Sequence, residues 1–99
     1  MKVYLLLLLS FIFVGCAGTP PFEDYSFAEA ALNAARSAEA SQYSPGNWAK
    51  ADEAYNLGEI AYRNRDYANA SDLFRQAREF AEKAENVSRL KKFQLGGGQ

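Results

Sequence analysis

Between Ser26 and about Ser41, hydrophobic and polar residues recur with the 3.6-residue period of an α-helix. The segment opens at Ser26 and Glu29, which match a capping box, in which each side chain satisfies the backbone amide of the other residue. It fades near Ser41. The apolar stripe consists of Ala28, Ala31, Leu32, Ala35 and Ala38. The pattern predicts an amphipathic helix that begins at Ser26.

A second periodic segment begins at Ser44 and Pro45, a candidate side-chain cap followed by a proline at the first helical position. It extends to about Asn64. Its apolar positions are Trp48, Ala51, Ala54, Tyr55, Leu57, Gly58, Ala61 and Tyr62. A glycine inside a helix costs up to about 1 kcal/mol relative to alanine. The sequence therefore predicts that another backbone approaches Gly58 closely.

The third and longest stripe follows Asp66, which is a capping residue type. It consists of Tyr67, Ala70, Leu73, Phe74, Ala77, Phe80, Ala81, Ala84 and Val87. It ends among Arg89, Lys91 and Lys92, cations that suit a helix C-terminus. Residues 93–99, with three consecutive glycines, are predicted to form a flexible tail.

Three amphipathic helices with short links, and no strand pattern, predict an all-α fold over residues 26–92. The architecture is expected to be a small three-helix bundle or a tetratricopeptide-like hairpin plus one extra helix. Because the stripes are mostly alanine, the helices can pack closely but bury little apolar area per residue.

The N-terminal segment is apolar from Val3 to Val14, with Ser10 as its one polar residue, and it follows Lys2. A span of roughly 30 Å of hydrocarbon needs about 20 residues, so this segment is short for a transmembrane helix. A positive start, an apolar stretch and small residues at its end predict a cleaved signal peptide over residues 1–15. Two alternatives are ordinary cleavage just after Cys16 or Ala17, which gives a soluble secreted protein, and an uncleaved anchor.

Phe13, Val14, Gly15 and Cys16 resemble the lipobox of bacterial lipoproteins, although Phe13 stands where leucine is usual. The resemblance implies cleavage before Cys16, a diacylglycerol on its thiol and a third acyl chain on the new amino terminus. Two or more chains hold a protein stably on a membrane. Cys16 is the only cysteine, so an intramolecular disulfide is impossible and lipidation accounts for the thiol.

Residues 16–25 are expected to form a tether, because the stretch from Ala17 to Pro21 is small and proline-bearing. In lipoproteins of bacteria with two membranes, an aspartate directly after the cysteine often signals retention in the inner membrane. This chain has Ala17 there. The resemblance therefore implies the outer membrane, with the protein facing the periplasm.

Charge and composition exclude several functions. Without residues 1–15, the 11 basic residues lose Lys2 and become 10, against 12 acidic residues, so the net charge is −2. A nucleic-acid partner is not expected, because phosphate binding needs a basic surface. The chain has no histidine, the commonest general base and metal ligand. Glu79, Glu82 and Glu85 lie at ion-pair spacing from basic residues. We expect no enzyme activity, no cofactor and no metal.

The second and third segments resemble one tetratricopeptide repeat. The matching residues are Leu57, Gly58, Tyr67, Ala70, Phe74 and Ala77, while Ala54, Ala61 and Glu82 depart from the pattern. By analogy with such repeats, Tyr55, Glu59 and Tyr62 lie on the inner face of the second helix and form a possible partner face. Core packing of the tyrosines is the alternative.

The chain also resembles a family of short bacterial envelope lipoproteins that carry an alanine-rich domain of unknown function. The resemblance covers about residues 26–86 and rests on the alanine stripe, Tyr43-Ser44-Pro45 and the stretch from Arg65 to Ala70. The resemblance implies a helical fold and a lipid-anchored envelope location, and it implies no activity. The anchor, the tether and the repeat-like hairpin together favour an interaction or scaffold module whose partner is another envelope protein or itself. The alternatives are a structural lipoprotein that self-associates through its alanine stripes and a soluble secreted helical protein.

Overall fold

The computed structural model describes residues 3–4 and 18–96, and the folded domain within them consists of helices. The helices are α1 (Phe22–Ser37), α2 (Ala40–Tyr43), α3 (Pro45–Arg63) and α4 (Tyr67–Gly96). No strand occurs in this part of the chain, and the predicted all-α fold is confirmed. The predicted lipobox, Phe13 to Cys16, lies outside the described residues.

Helix α4 is the centre of the fold and packs against both α1 and α3. Helices α3 and α4 form an antiparallel hairpin, since the rings of Tyr62 and Tyr67 meet at the turn with centroids 5.7 Å apart. Helix α1 runs parallel to α4. The first turn of α1 contacts the start of α4, because the Ser71 hydroxyl donates a hydrogen bond to Asp24. At the other end, Glu39, which follows α1, pairs with Lys92 near the end of α4 at 3.4 Å.

The core consists almost entirely of alanine. Its buried hydrophobic members are Ala28, Leu32, Ala35, Ala38, Ala40, Ala51, Ala54, Ala61, Ala70, Phe74, Ala77, Ala81 and Ala84. Phe74 is the largest fully buried side chain. Small side chains let the helices approach closely. This packing buries most of the predicted alanine stripes within one chain. Ala31 is the member of the first stripe that stays partly exposed.

Helix α1 begins at Phe22, so the predicted start at Ser26 is wrong. The amide of Phe22 donates to the Pro20 carbonyl at 2.8 Å, and that of Tyr25 donates to the Pro21 carbonyl at 3.0 Å. Glu23 and Asp24 lie in the first turn, where negative charge favours a helix N-terminus. Ser26 is thus inside the helix, and the predicted tether loses its last four residues to it.

Helix α3 begins at Pro45, as predicted, but Ser44 does not cap it through its side chain. The Ser44 hydroxyl instead accepts a hydrogen bond from the side-chain amide of Asn47 at 3.1 Å. The backbone carbonyl of Ser44 accepts from the amide of Trp48 at 2.9 Å. The Ser44 hydroxyl therefore binds a neighbouring side chain and not a backbone amide of the helix start.

The turn between α3 and α4 is a Schellman motif. Arg65 has a left-handed backbone, with φ of 61°, and its amide donates to the Tyr62 carbonyl at 3.0 Å. The amide of Asp66 donates to the Ala61 carbonyl at 2.9 Å. Both bonds close the end of α3, and α4 then starts at Tyr67. It continues to Gly96, so the predicted end near Lys92 falls short by one helical turn.

Gly58 is crowded, as expected, but by a side chain rather than by a backbone. A Cβ atom at this position would lie 2.7 Å from Cε1 of the Phe74 ring. The three atoms nearest to that Cβ position all belong to the Phe74 ring. The glycine makes room for the one large side chain at the centre of the hairpin.

Candidate functional site

An aromatic cluster joins α1 to the hairpin. The Tyr25 ring lies at its centre, with centroid distances of 5.9 Å to Tyr55, 6.3 Å to Tyr62 and 5.3 Å to Phe74. The contact with Phe74 is edge-on, a favourable geometry for two rings. Burial, and then the neighbouring Tyr25, raise the pKa of the Tyr55 phenol well above its usual value. The Tyr55 phenol therefore stays neutral beside Tyr25 and Phe74.

Beside this cluster lies an open cleft of about 310 Å³, here called the aromatic cleft and lined by Phe22, Tyr25, Glu59, Tyr62 and Arg63. Phe22 is 70% exposed. Glu59 and Arg63 are four residues apart on α3, yet they are absent from the ion pairs that the described side chains form. The cleft therefore offers a carboxylate and a guanidinium that do not neutralise each other by direct contact.

The predicted partner face, Tyr55, Glu59 and Tyr62, is divided between two environments. Glu59 and Tyr62 line the aromatic cleft. Tyr55 is half-buried against Tyr25 and Phe74 and lines a separate depression on the α1 side. Core packing, the alternative reading of the tyrosines, therefore applies most closely to Tyr55.

Sequence reasoning missed Phe22 and Tyr25, because both were assigned to the tether. The two aromatic residues are three positions apart, which puts them on one face of a helix. That spacing, together with the acidic residues between them, is the signal that would have extended α1 and added both rings to the site.

A second surface, here called the hairpin groove, runs between α3 and α4. Its two sections share Leu57 and Leu73 and have volumes of about 330 Å³ and 190 Å³. The described lining also includes Lys50, Glu53, Ala54, Ile60, Ala61, Asn64, Asp66, Asn69, Gln76 and Phe80, all from α3, α4 or their turn. Leu57 is 45% exposed and Ile60 is 47% exposed. Helix α1 therefore covers one side of the hairpin and leaves this side open.

The last turns of α4 carry exposed Leu90, Phe93 and Leu95 beside basic residues. Most of that positive charge is engaged within the chain. Arg89 pairs with Glu85 at 3.0 Å, Lys92 pairs with Glu39, and the Lys91 ammonium donates to the Tyr43 carbonyl at 2.6 Å. The contacts of Lys91 and Lys92 attach the end of α4 to Tyr43 of α2 and to Glu39, which precedes α2.

Of the three α4 carboxylates considered for acid–base chemistry, Glu82 and Glu85 form ordinary ion pairs and Glu79 is exposed. Glu82 pairs with Arg78 at 2.9 Å, and Glu85 pairs with Arg89. In residues 3–4 and 18–96, no group of three or more acidic, cysteine or histidine side chains is placed to hold a metal ion. None of the helices described is both long and apolar enough to cross a membrane.

A comparison with protein-family models gives one match, to a family described as domain of unknown function, DUF4398, over residues 23–95. The chain belongs to the DUF4398 family. The matched range begins one residue inside α1 and ends one residue before the end of α4, so the DUF4398 unit and the helical domain coincide. No curated protein and no solved structure matches the chain.

Proposed function

We propose that this DUF4398 protein is a lipid-anchored envelope protein whose helical domain is a non-catalytic interaction module. The proposed anchor is Cys16, preceded by the lipobox-like Phe13, Val14 and Gly15, and the proposed location is the outer membrane, facing the periplasm. The first helix begins at Phe22, six residues after Cys16. Such a short connection favours a domain that works close to the membrane surface.

The observation that carries the interaction role is the open hairpin groove. Leu57 and Ile60 remain about half exposed beside Leu73, although most other apolar residues of the hairpin are covered. In helical repeat proteins, each hairpin packs against a neighbouring one. Gly58 and Phe74, which carry the resemblance to a tetratricopeptide repeat, interlock across this hairpin. The groove is therefore suited to an apolar helix of another envelope protein.

A non-catalytic role fits the chemistry of the surface. The chain has no histidine, and Glu82 and Glu85 of α4 are engaged in ion pairs. The groove is lined mainly by apolar and amide side chains, with Lys50, Glu53 and Asp66 among them. The apolar and amide groups bind a complementary surface and do not transfer protons.

Site-specific photocrosslinking in intact cells tests the proposal. A photoreactive amino acid at Leu57 is compared with the same amino acid at Ala30, an exposed position on α1. We expect a discrete crosslinked species from Leu57, none from Ala30, and loss of the Leu57 species when Ile60→Glu places a charge in the groove. The crosslinked partner is identified by mass spectrometry.

Equal or absent crosslinking from the two positions would contradict the interaction role of the groove. A species of twice the chain's mass would identify a second copy as the partner and favour the self-associating alternative. In that case the contact uses the groove, because most of the alanine stripes are buried inside each chain.

A further inference from the structure

The parallel course of α1 and α4 gives the domain two distinct ends. The proximal end contains Phe22 and the turn from Arg63 to Tyr67, and the distal end contains residues 90–96. Helix α4 has 30 residues, so at 1.5 Å per residue the two ends lie about 45 Å apart. An anchor on the chain before Phe22 therefore approaches the proximal end alone.

The connection to Cys16 is short and its last part is fixed. The carbonyls of Pro20 and Pro21 accept hydrogen bonds from the first turn of α1, so both prolines are attached to the helix. Between Cys16 and Pro20 there are four residue steps, which span at most about 14 Å when fully extended. An acylated Cys16 would keep the proximal end within that distance of the lipid.

The side chains at the proximal end suit a lipid headgroup layer. The aromatic cleft combines Phe22 and two tyrosines with a carboxylate and a guanidinium. Aromatic side chains favour the interface between water and hydrocarbon. Carboxylates and tyrosine faces attract an ammonium group, and the guanidinium of arginine binds phosphate. A zwitterionic phospholipid headgroup carries both an ammonium and a phosphate.

We propose that the proximal end docks on the lipid surface, with Phe22 in the interfacial layer and the aromatic cleft around a zwitterionic phospholipid headgroup. Helix α4 then leads away from the membrane, and its distal end lies in the aqueous compartment. This orientation rests on the proposed lipid anchor and adds a lipid-binding role for Glu59 and Arg63.

Quenching of tryptophan fluorescence by brominated phospholipid tests the orientation. Trp48→Phe removes the only tryptophan, and Phe22→Trp or Phe93→Trp then introduces a probe at the proximal or distal end. The acylated proteins are placed in vesicles of brominated phosphatidylethanolamine and phosphatidylglycerol. We expect at least about twofold quenching in the Phe22→Trp protein and almost none in the Phe93→Trp protein, because interfacial residues enter only the first 5–10 Å.

Equal quenching at both ends, or stronger quenching in the Phe93→Trp protein, would overturn the proposal. Hydrogen exchange of the unsubstituted protein provides the same comparison without new side chains. Vesicles should slow amide exchange in residues 22–25 and 62–66 and leave residues 90–96 unchanged. Slower exchange at the distal end alone would equally contradict the orientation.

The headgroup site has its own variants. Glu59→Gln and Arg63→Gln remove the two charges of the cleft. Lys83→Gln is the matched control, because it removes an exposed charge of α4 that lines neither the cleft nor the groove. We expect the first two changes to reduce quenching in the Phe22→Trp protein and the third to leave it unchanged. No effect of either cleft substitution would exclude the headgroup site.

The anchor and the orientation fail in different ways. If the intact mass shows no acyl chains, the proposed anchor is wrong. The chain beginning at Cys16 can then be coupled through that thiol to a maleimide lipid, because Cys16 is the only cysteine. The same comparison of Phe22→Trp with Phe93→Trp still tests whether a chain held at Cys16 docks by its proximal end.

Discussion

At the scale of the residue, the centre of the hairpin depends on Gly58 and Phe74. A Cβ atom on Gly58 would overlap the buried Phe74 ring, and overpacking of this kind costs about 1–3 kcal/mol. The gain in helix propensity returns at most about 1 kcal/mol. We therefore expect Gly58→Ala to lower the free energy of unfolding, measured by urea denaturation followed by circular dichroism.

Gly46→Ala is the matched control for this prediction. Gly46 lies in the first turn of α3, and nothing lies within 4 Å of the position of an added Cβ atom. This change should leave stability equal or slightly higher. If Gly58→Ala were as stable as Gly46→Ala, Phe74 would not fill the space beside Gly58.

The raised pKa of the Tyr55 phenol predicts that the stability of the fold decreases at alkaline pH. Its pKa in the folded protein is raised by burial and by Tyr25, so the unfolded chain loses this proton first. The raised pKa therefore contributes to the free energy of unfolding. This contribution is fully present below the pKa of the unfolded chain, about 10, and is lost as the pH rises from there through the pKa of the folded protein. Tyr55→Phe should therefore weaken the loss of stability above pH 10, measured by urea unfolding at several pH values. Tyr43→Phe, outside the aromatic cluster, serves as the control, and an identical pH profile for both variants would count against the role of Tyr55.

The residue scale also marks the limit of sequence reasoning. The helical pattern identified Gly58 as a position with a special neighbour, because an interior glycine has a cost. It did not identify Phe74 as that neighbour, since the direction of a ring depends on how two helices pack. Tyr55 was similarly placed on a partner face by analogy, although Tyr25, which covers it, lies on another helix.

At the scale of the element, the turn between α3 and α4 has an arginine where glycine is usual. Arg65 has a left-handed backbone, which costs a residue with a Cβ atom about 1–2 kcal/mol. Glycine avoids this cost, but it also increases the conformational entropy of the unfolded chain, which offsets part of the gain in stability. We expect Arg65→Gly to raise the free energy of unfolding by about 0.5–1 kcal/mol.

Arg63→Gly is the opposite control, because Arg63 is the last helical residue of α3 and has no left-handed backbone. Glycine there should lower stability, by up to about 1 kcal/mol. Urea unfolding of the two variants gives the comparison. A loss of stability in both would mean that the Arg65 side chain contributes more than its backbone costs.

Elements whose boundaries are local signals were predicted well, and those fixed by tertiary contacts were not. The proline at Pro45 and the capping position Asp66 correctly gave the starts of α3 and α4. The start of α1 was missed. The capping box at Ser26 is a local preference, and the packing of Tyr25 against Tyr55 and Phe74 outweighs it. That contact requires helix before Ser26.

At the scale of the whole molecule, the alanine stripes predicted three close-packed helices and an all-α domain. They did not reveal which side of the hairpin stays open, because either face of an antiparallel hairpin can accept the third helix. Helix α1 covers the face with Tyr55 and Tyr62, which leaves Leu57 and Ile60 exposed in the hairpin groove. The groove and the aromatic cleft are thus consequences of the placement of α1.

The proposed envelope role depends on the membrane anchor. Intact mass and membrane fractionation of the native protein beside a Cys16→Ser variant test that anchor most directly. We predict a native chain that begins at Cys16, carries the mass of its acyl chains and sediments with membranes, and a variant that lacks the acyl mass. A soluble native protein cleaved at another residue, without acyl mass, would contradict the account and indicate a secreted helical protein.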